Sequence, residues 1–448
     1  MFAMFRKLSR PFRLHLLIVG LVVVLAALSV PAFGGETVGR TKDAGSLEGY
    51  YKDLFVDGGA RLSSRTTLHA AKSLGLDYEY YAGRDEIRQS QIVSGNEDDF
   101  NGALLYPDGQ PRFRLIYVHG GGATAHGKTL GSAGREAFRE FYYNGGSYCG
   151  SCAGSFLAGA NTDKSATNRL GYLHIFPYNT LNTGMKKERV GHVIPEGSPL
   201  LNFRDFGADL RIDDIYHNNG NWMLATKGEH LKTTEILALY DKPDKKVHNG
   251  AAIWAHKKSA ESGRVVMIGS HPEGAESGER LLLTEACLLY ALAGVAPPAI
   301  KGELKRGETR VMDKRTSDRD PAFTRIGDRQ YHHFTIEVPT GEQDVRIRVN
   351  GEGGHQLNLY LRKAEPAFAS NAEFSNRKTD ADKELRASLS PGTWHVSVEC
   401  ASSIETKEIV EKVGKHDSKF VRYGGDVSVL NGAPYSISWM EAPRSDEK

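Results

Sequence analysis

Cysteine is scarce in this sequence: Cys149, Cys152, Cys287 and Cys400 are all that 448 residues contain. Four thiols cannot staple so long a chain, so the fold must rest on apolar burial rather than on a disulfide framework. No charge predominates either. Lysine and arginine total 57 against 55 aspartates and glutamates, a net charge of +2, which removes the electrostatic reason to expect nucleic acid or an anionic surface as partner. No internal repeat is visible.

The conspicuous apolar run is residues 14–30, preceded by Arg6, Lys7, Arg10 and Arg13 and followed by Pro31-Ala32-Phe33-Gly34. A basic start, an apolar stretch and small residues predict a signal peptide over 1–34, and hence a secreted or periplasmic protein. The competing reading is an uncleaved membrane anchor, because the run is near the lower length limit for a span. No cysteine follows directly, which disfavours a lipoprotein. The remainder is longer than one core usually holds, so two folded units are expected.

From about residue 47 to 296, strand-like and helix-like stretches alternate, the pattern of an α/β domain with a doubly wound, mainly parallel sheet. The expected elements include a Gly58-Gly59 turn, a helix capped by Ser63 or Ser64, a central strand over 113–118, a helix over 132–143 ending at Asn144-Gly145-Gly146, a short buried strand over 147–150 and a helix from Ala153. A strand over 264–268 and a helix over 280–292 close the domain. Residues 297–325 open with Pro297-Pro298, carry many charges and read as a linker. Beyond them, from 326 to 441, alternation with period two predicts a C-terminal β-sandwich that folds alone.

Gly150-Ser151-Cys152-Ala153-Gly154 is a G-x-C-x-G elbow between strand and helix. A sharp turn exposes a nucleophile only when its neighbours are small, and a helix start favours a thiolate. Alone, the motif equally describes a tight turn in a small-residue core. The apolar strand over 264–268, however, runs into Ser270-His271-Pro272-Glu273, which places an imidazole and a carboxylate at the carboxyl edge of the same sheet. Cys152, His271 and Glu273 thus make a candidate nucleophile, base and orienting group. The backbone N–H groups of Gly121 and Gly122, after the central strand, would join that of Ala153 as an oxyanion hole.

Together these motifs resemble class I glutamine amidotransferases, a flavodoxin-like fold, and within them the branch called the biotin-protein ligase N-terminal domain family. That branch has a G-x-C-A-G elbow and a last strand ending in His-Pro-Glu. The resemblance covers about residues 47–296 and implies a Cys152–His271–Glu273 triad. It implies no biotin ligation, because no ligase module follows. Tyr216-His217-Asn218-Asn219-Gly220 falls where the branch has Tyr-x-Gly-Gly, so Tyr216, Asn218 and Asn219 are expected to line the substrate pocket. The C-terminal part, with Leu357-Asn358-Leu359-Tyr360-Leu361, resembles a bacterial pre-peptidase C-terminal domain, and Asn358 in place of the usual Asp weakens any inherited calcium site.

The expected activity is hydrolysis of a small amide or peptide through a thioester on Cys152, without cofactor or metal. His119, His217 and His256 lack metal-ligand spacing and are read as pocket or surface residues; Trp222 and Trp254 are read as core. Two alternatives stay open. Cys149 and Cys152 form a C-x-x-C, which could be a redox centre or a switch on the nucleophile, although strand geometry favours Cys149 as a buried, reduced residue. The domain could also bind a ligand without turnover.

Overall fold

Uninterrupted apolar runs that end in glycines or polar turns can be buried on both faces, and here they become the centre of a sheet. The computed structural model describes residues 44–57, 68–81, 102–162, 169–341, 343–352, 354–380, 382–413 and 416–442. The segment read as an export signal, the expected Gly58-Gly59 turn and the expected cap at Ser63 or Ser64 lie outside them.

The strands of the first part are β1 (Lys52–Asp57), β2 (Tyr78–Tyr81), β3 (Phe113–Val118), β4 (Ser147–Ser151), β5 (Leu181–Asn182), β6 (Glu188–Val193), β7 (Arg211–His217), β8 (Asn221–Trp222), β9 (Thr234–Asp241), β10 (Ala251–Lys257) and β11 (Arg264–Ile268). Nine of them form one sheet in the order β2-β1-β3-β4-β11-β10-β9-β6-β7. From β2 to β11 neighbours run parallel; from β11 to β7 they run antiparallel. The sheet is therefore mixed, which corrects the expectation of a mainly parallel one. Parallel neighbours need a crossover of a dozen or more residues, usually a helix. Between residues 170 and 260 the described chain has only 3₁₀ turns besides strands, so it builds an antiparallel wing.

Helices cover both faces. α1 (His69–Ser73) lies on the side where Leu54, Leu115, Cys149 and Val266 pack with Leu283, Ala286 and Cys287. α2 (Ala123–Thr129), α3 (Gly131–Tyr143) and α4 (Ala153–Ala158) follow, and Phe138, Phe141 and Leu157 pack with Phe55, Ile116 and Met267 on the opposite face. α5 (Gly278–Leu292) returns to the first side.

The C-terminal part comprises β12 (Ile300–Glu303), β13 (Thr309–Met312), β14 (Tyr331–Val338), β15 (Gln343–Gly351), β16 (Leu357–Lys363), β17 (Phe374–Asn376), β18 (Asp382–Leu389), β19 (Gly392–Cys400), β20 (Glu405–Val413), β21 (His416–Gly424) and β22 (Tyr435–Glu441). A five-stranded sheet, β12-β14-β19-β16-β17, and a four-stranded sheet, β13-β22-β15-β18, make up the sandwich. Ile336, Leu359 and Val396 of the first sheet share one buried apolar cluster with Ile347 and Ile437 of the second.

Residues 297–325, expected to be a linker, thus supply an edge strand to each sheet of the sandwich. The expectation of an independently folding sandwich also meets a contrary observation. The described chain forms one compact unit, and one apolar cluster runs from Phe113 and Phe138 into Phe334 and Val396. Arg112, beside β3, donates from Nε and Nη2 to Asp328 at 3.1 and 2.8 Å, with both side chains buried. Arg329 Nη1 donates to the Tyr51 carbonyl at 3.1 Å.

Candidate active site

β4 ends at Ser151 between β3 and β11, so the next residue emerges at the centre of the sheet's carboxyl edge. That residue, Cys152, has φ 46° and ψ −100°, a left-handed backbone that non-glycine residues adopt only when their surroundings impose it. Two flanking glycines give the turn the room it needs. A Cβ on Gly150 would lie 2.6 Å from the Gly154 carbonyl carbon, and one on Gly154 would lie 2.2 Å from the Val118 oxygen. The Cys152 N–H donates to Ile268 O at 2.8 Å, tying the elbow to β11.

His271 follows β11, and its N–H donates to Tyr216 O at 2.9 Å. Its ring lies against Gly120, and its Nδ1 donates to Glu273 Oε1 at 2.9 Å. That leaves Nε2 for Cys152, with which the ring is hydrogen-bonded. Glu273 is buried, and its Oε1 also accepts from Ser151 Oγ at 2.9 Å. Burial opposes charge on His271, but the Glu273 carboxylate and the bonds to Cys152 and Glu273 outweigh it and hold the imidazole well above the ordinary histidine range. Burial likewise opposes charge on Glu273, yet His271 holds its carboxyl below the usual range. Each of the two groups thus favours the charged form of the other.

The three residues expected to act together are brought together. Gly121 and Gly122 form the exposed turn between β3 and α2, with Gly121 at φ 147°, and Ala153 is the first residue of α4, where an N–H has no intrahelical acceptor. Tyr216 and Asn218 line a cleft of about 580 Å³ with His271, Pro272 and Glu273, whereas Asn219 is not among its walls. Asn219, at φ 55°, instead donates its N–H to Met185 O at 2.6 Å. Asn218 reaches the nucleophile through its main chain: the Cys152 thiol donates to its carbonyl at 3.6 Å.

Cys149 belongs elsewhere. It is fully buried on β4 with Cys287 on the α1 and α5 side, burial pushes its thiol well up, and all four cysteines are free. His119, His217 and His256 are buried rather than at the surface. His119 is driven by burial down to about 4, and among the described residues neither ring nitrogen has a hydrogen-bond partner. His217 Nδ1 and His192 Nε2 meet on Ser270 Oγ at 3.1 and 3.0 Å. The sequence carries little signal for this His–Ser–His bridge, which lies directly before His271; the polar Ser270 inside the strand-end motif is all of it. In the sandwich, Asn358 and Tyr360 both donate to Glu399 Oε2, and among the described residues no group of three or more His, Cys, Asp or Glu side chains is placed to hold a metal. No described helix is long and apolar enough to cross a membrane.

No protein-family model and no curated protein matches the chain. Among solved structures it is similar to a glutamine amidotransferase (18% identity, 54% of this chain and 99% of that one, TM-score 0.32) and to a ThuA-like protein from Bacteroides uniformis (12% identity, 54% and 92%, TM-score 0.33). Another is the pre-peptidase C-terminal domain of a Bacillus anthracis collagenase (13% identity, 31% and 90%, TM-score 0.18). At these scores the likenesses carry no weight for chemistry, which rests on the geometry above.

Proposed function

We propose that this protein is an exported hydrolase of the glutamine amidotransferase-like class, in which Cys152 attacks an amide carbonyl. The observation that supports it most is the strained φ of 46° at Cys152, beside an imidazole whose far nitrogen is held by a buried carboxylate at 2.9 Å. Strain of this kind persists only where the surroundings enforce it, and it aims the thiol out of the sheet.

In this reading His271 takes the thiol proton and returns it to the leaving amine, and Glu273 fixes its tautomer and balances its charge. The N–H groups of Gly121, Gly122 and Ala153 receive the oxyanion, a contribution of about 3–4 kcal/mol per donor in comparable sites. The thioester on Cys152 is then hydrolysed by water. A sandwich in place of an ammonia-accepting domain favours hydrolysis over amide transfer. The basic and apolar N-terminal segment supports export, with membrane attachment only if that segment is retained.

The test is mass spectrometry of the full chain after exposure to electrophilic amide probes under reducing conditions. An adduct on Cys152, lost in Cys152→Ala, supports the nucleophile; a folded protein that acquires none is not this enzyme.

A further inference from the structure

Three successive residues at the end of β7 serve the site. The Tyr216 carbonyl accepts the His271 N–H at 2.9 Å, and the Asn218 carbonyl accepts from the Cys152 thiol at 3.6 Å. Between them the His217 side chain is fully buried. Alternation along a strand explains why it points inward. It does not explain why an imidazole stands there, because a polar ring costs free energy to bury unless its nitrogens are bonded.

Both nitrogens are bonded, and the partners fix which one carries the proton. The Gly220 N–H can only donate, and it reaches Nε2 at 3.2 Å, so Nε2 is bare and the neutral ring is protonated at Nδ1. Thr183 Oγ1 donates to the same Nε2 at 2.7 Å. Nδ1 then donates to Ser270 Oγ at 3.1 Å. Burial and the neighbouring His271 push the ring down to about 4, which keeps it neutral. The turn that the ring closes is tightly built. Asn219 stands at φ 55°, the Lys187 N–H donates to Asn218 Oδ1 at 3.3 Å, and a Cβ on Gly220 would stand 1.6 Å from Gly269 O.

We infer that His217 is a positioning residue for the proposed triad: one imidazole, held in its Nδ1–H tautomer, ties the turn whose Asn218 carbonyl meets Cys152 to the serine that precedes His271. The inference rests on the nucleophile proposed above. Nucleophile and base must share a proton, and the ring couples the segment that contacts the first to the segment that carries the second. Loosening that link misplaces one against the other, and small misplacements are costly in rate. Leucine has the bulk of the ring and neither bond, whereas glutamine offers an amide oxygen to the Gly220 N–H.

The test has a spectroscopic arm and a kinetic arm. In the perdeuterated wild-type chain, after sequence-specific assignment, heteronuclear NMR of nitrogen-labelled histidine should show His217 neutral and protonated at Nδ1 near neutral pH. In the kinetic arm, chloroacetamide alkylates Cys152, forming a thioether with loss of chloride while His271 takes the thiol proton. Rates are divided by those of glutathione to remove intrinsic reactivity. His217→Leu is expected to slow labelling by about tenfold or more, and His217→Gln to recover part of that loss even where the two variants melt alike. A His217 ring that is charged or protonated at Nε2 overturns the inference, and because it is read on the wild type it decides even where the variants fold poorly. Equal slowing in the two variants also overturns it, since the ring would then only fill space. Labelling at the wild-type rate in folded His217→Leu overturns it and leaves the nucleophile standing. No Cys152 adduct in the wild type overturns both.

Discussion

The ring of His271 occupies the space that a side chain on Gly120 would need: a Cβ there would stand 2.2 Å from His271 Cε1. The glycine run after β3 therefore does more than offer N–H groups, since its first member makes room for the imidazole. Gly154 makes room for backbone instead, with Val118 O 2.2 Å from its would-be Cβ. A ring can swing away, whereas a strand in the middle of a sheet cannot. Gly120→Ala is expected to fold with a loss of about 1–3 kcal/mol and to lose most Cys152 reactivity. Gly154→Ala is expected to lose more stability than Gly120→Ala. Denaturant melts and Cys152 labelling on the two variants check both statements, and equal melts would contradict them.

Glu273→Gln preserves shape but removes the charge that holds His271 up. Reactivity of Cys152 is expected to drop by about 10²–10⁴. Stability should change with pH in a defined direction. The His271 contribution is full below its usual value of 6.5 and fades as pH rises through the raised folded value; the Glu273 contribution is present above 4.5 and fades as pH falls through the lowered one. The stability difference between wild type and Glu273→Gln should therefore be largest between about pH 4.5 and 6.5, as read from thermal melts across about pH 4 to 9. A difference that is flat with pH would mean that the pair is not ionised.

Much of this site is legible in the sequence because its elements are local. The G-x-C-x-G elbow and the His-Pro-Glu strand end each state their chemistry within a short stretch, and the strands that carry them, β4 and β11, fall within about one residue of their expected bounds. Pairing between distant strands has no such local signature, so the antiparallel half of the sheet emerges only in the fold. β12 and β13 are hidden for another reason: both are edge strands with mixed sequences, and Ile300 and Val311 remain exposed. His217 and Ser270 are 53 residues apart in the chain, and only the fold brings their side chains together.

Cys149 and Cys152 should behave as unrelated thiols. Cys149 has no exposure, and burial pushes its thiol well up, so it is neither accessible nor ionised at neutral pH. Iodoacetamide on the native protein is expected to modify Cys152 and leave Cys149 untouched until denaturant is added. Cys149→Ala should keep the Cys152 labelling rate within about twofold while costing about 1 kcal/mol of stability for the lost packing. A Cys149–Cys152 linked peptide in non-reducing maps of fresh protein would overturn this and revive a redox switch.

The last expectation concerns the sandwich. Arg112 is buried beside the nine-stranded sheet, and its carboxylate partner Asp328 is buried on the side of the sandwich. Removing one member of such a pair leaves a charge in an apolar interior, a loss of about 3–5 kcal/mol. Asp328→Ala in the full chain should be destabilised by that amount, and the double variant Arg112→Met with Asp328→Leu should recover part of it, because no unpaired charge then remains. Truncation at residue 300 does the same harm as Asp328→Ala and also strips the apolar cluster around Phe113 and Phe138 of Phe334 and Val396. We therefore expect the truncated chain to aggregate or to melt far below the full one, rather than to stand as a reactive domain. A truncated protein with an unchanged melting temperature would show that the shared core contributes little, and that the sandwich is an appended module after all.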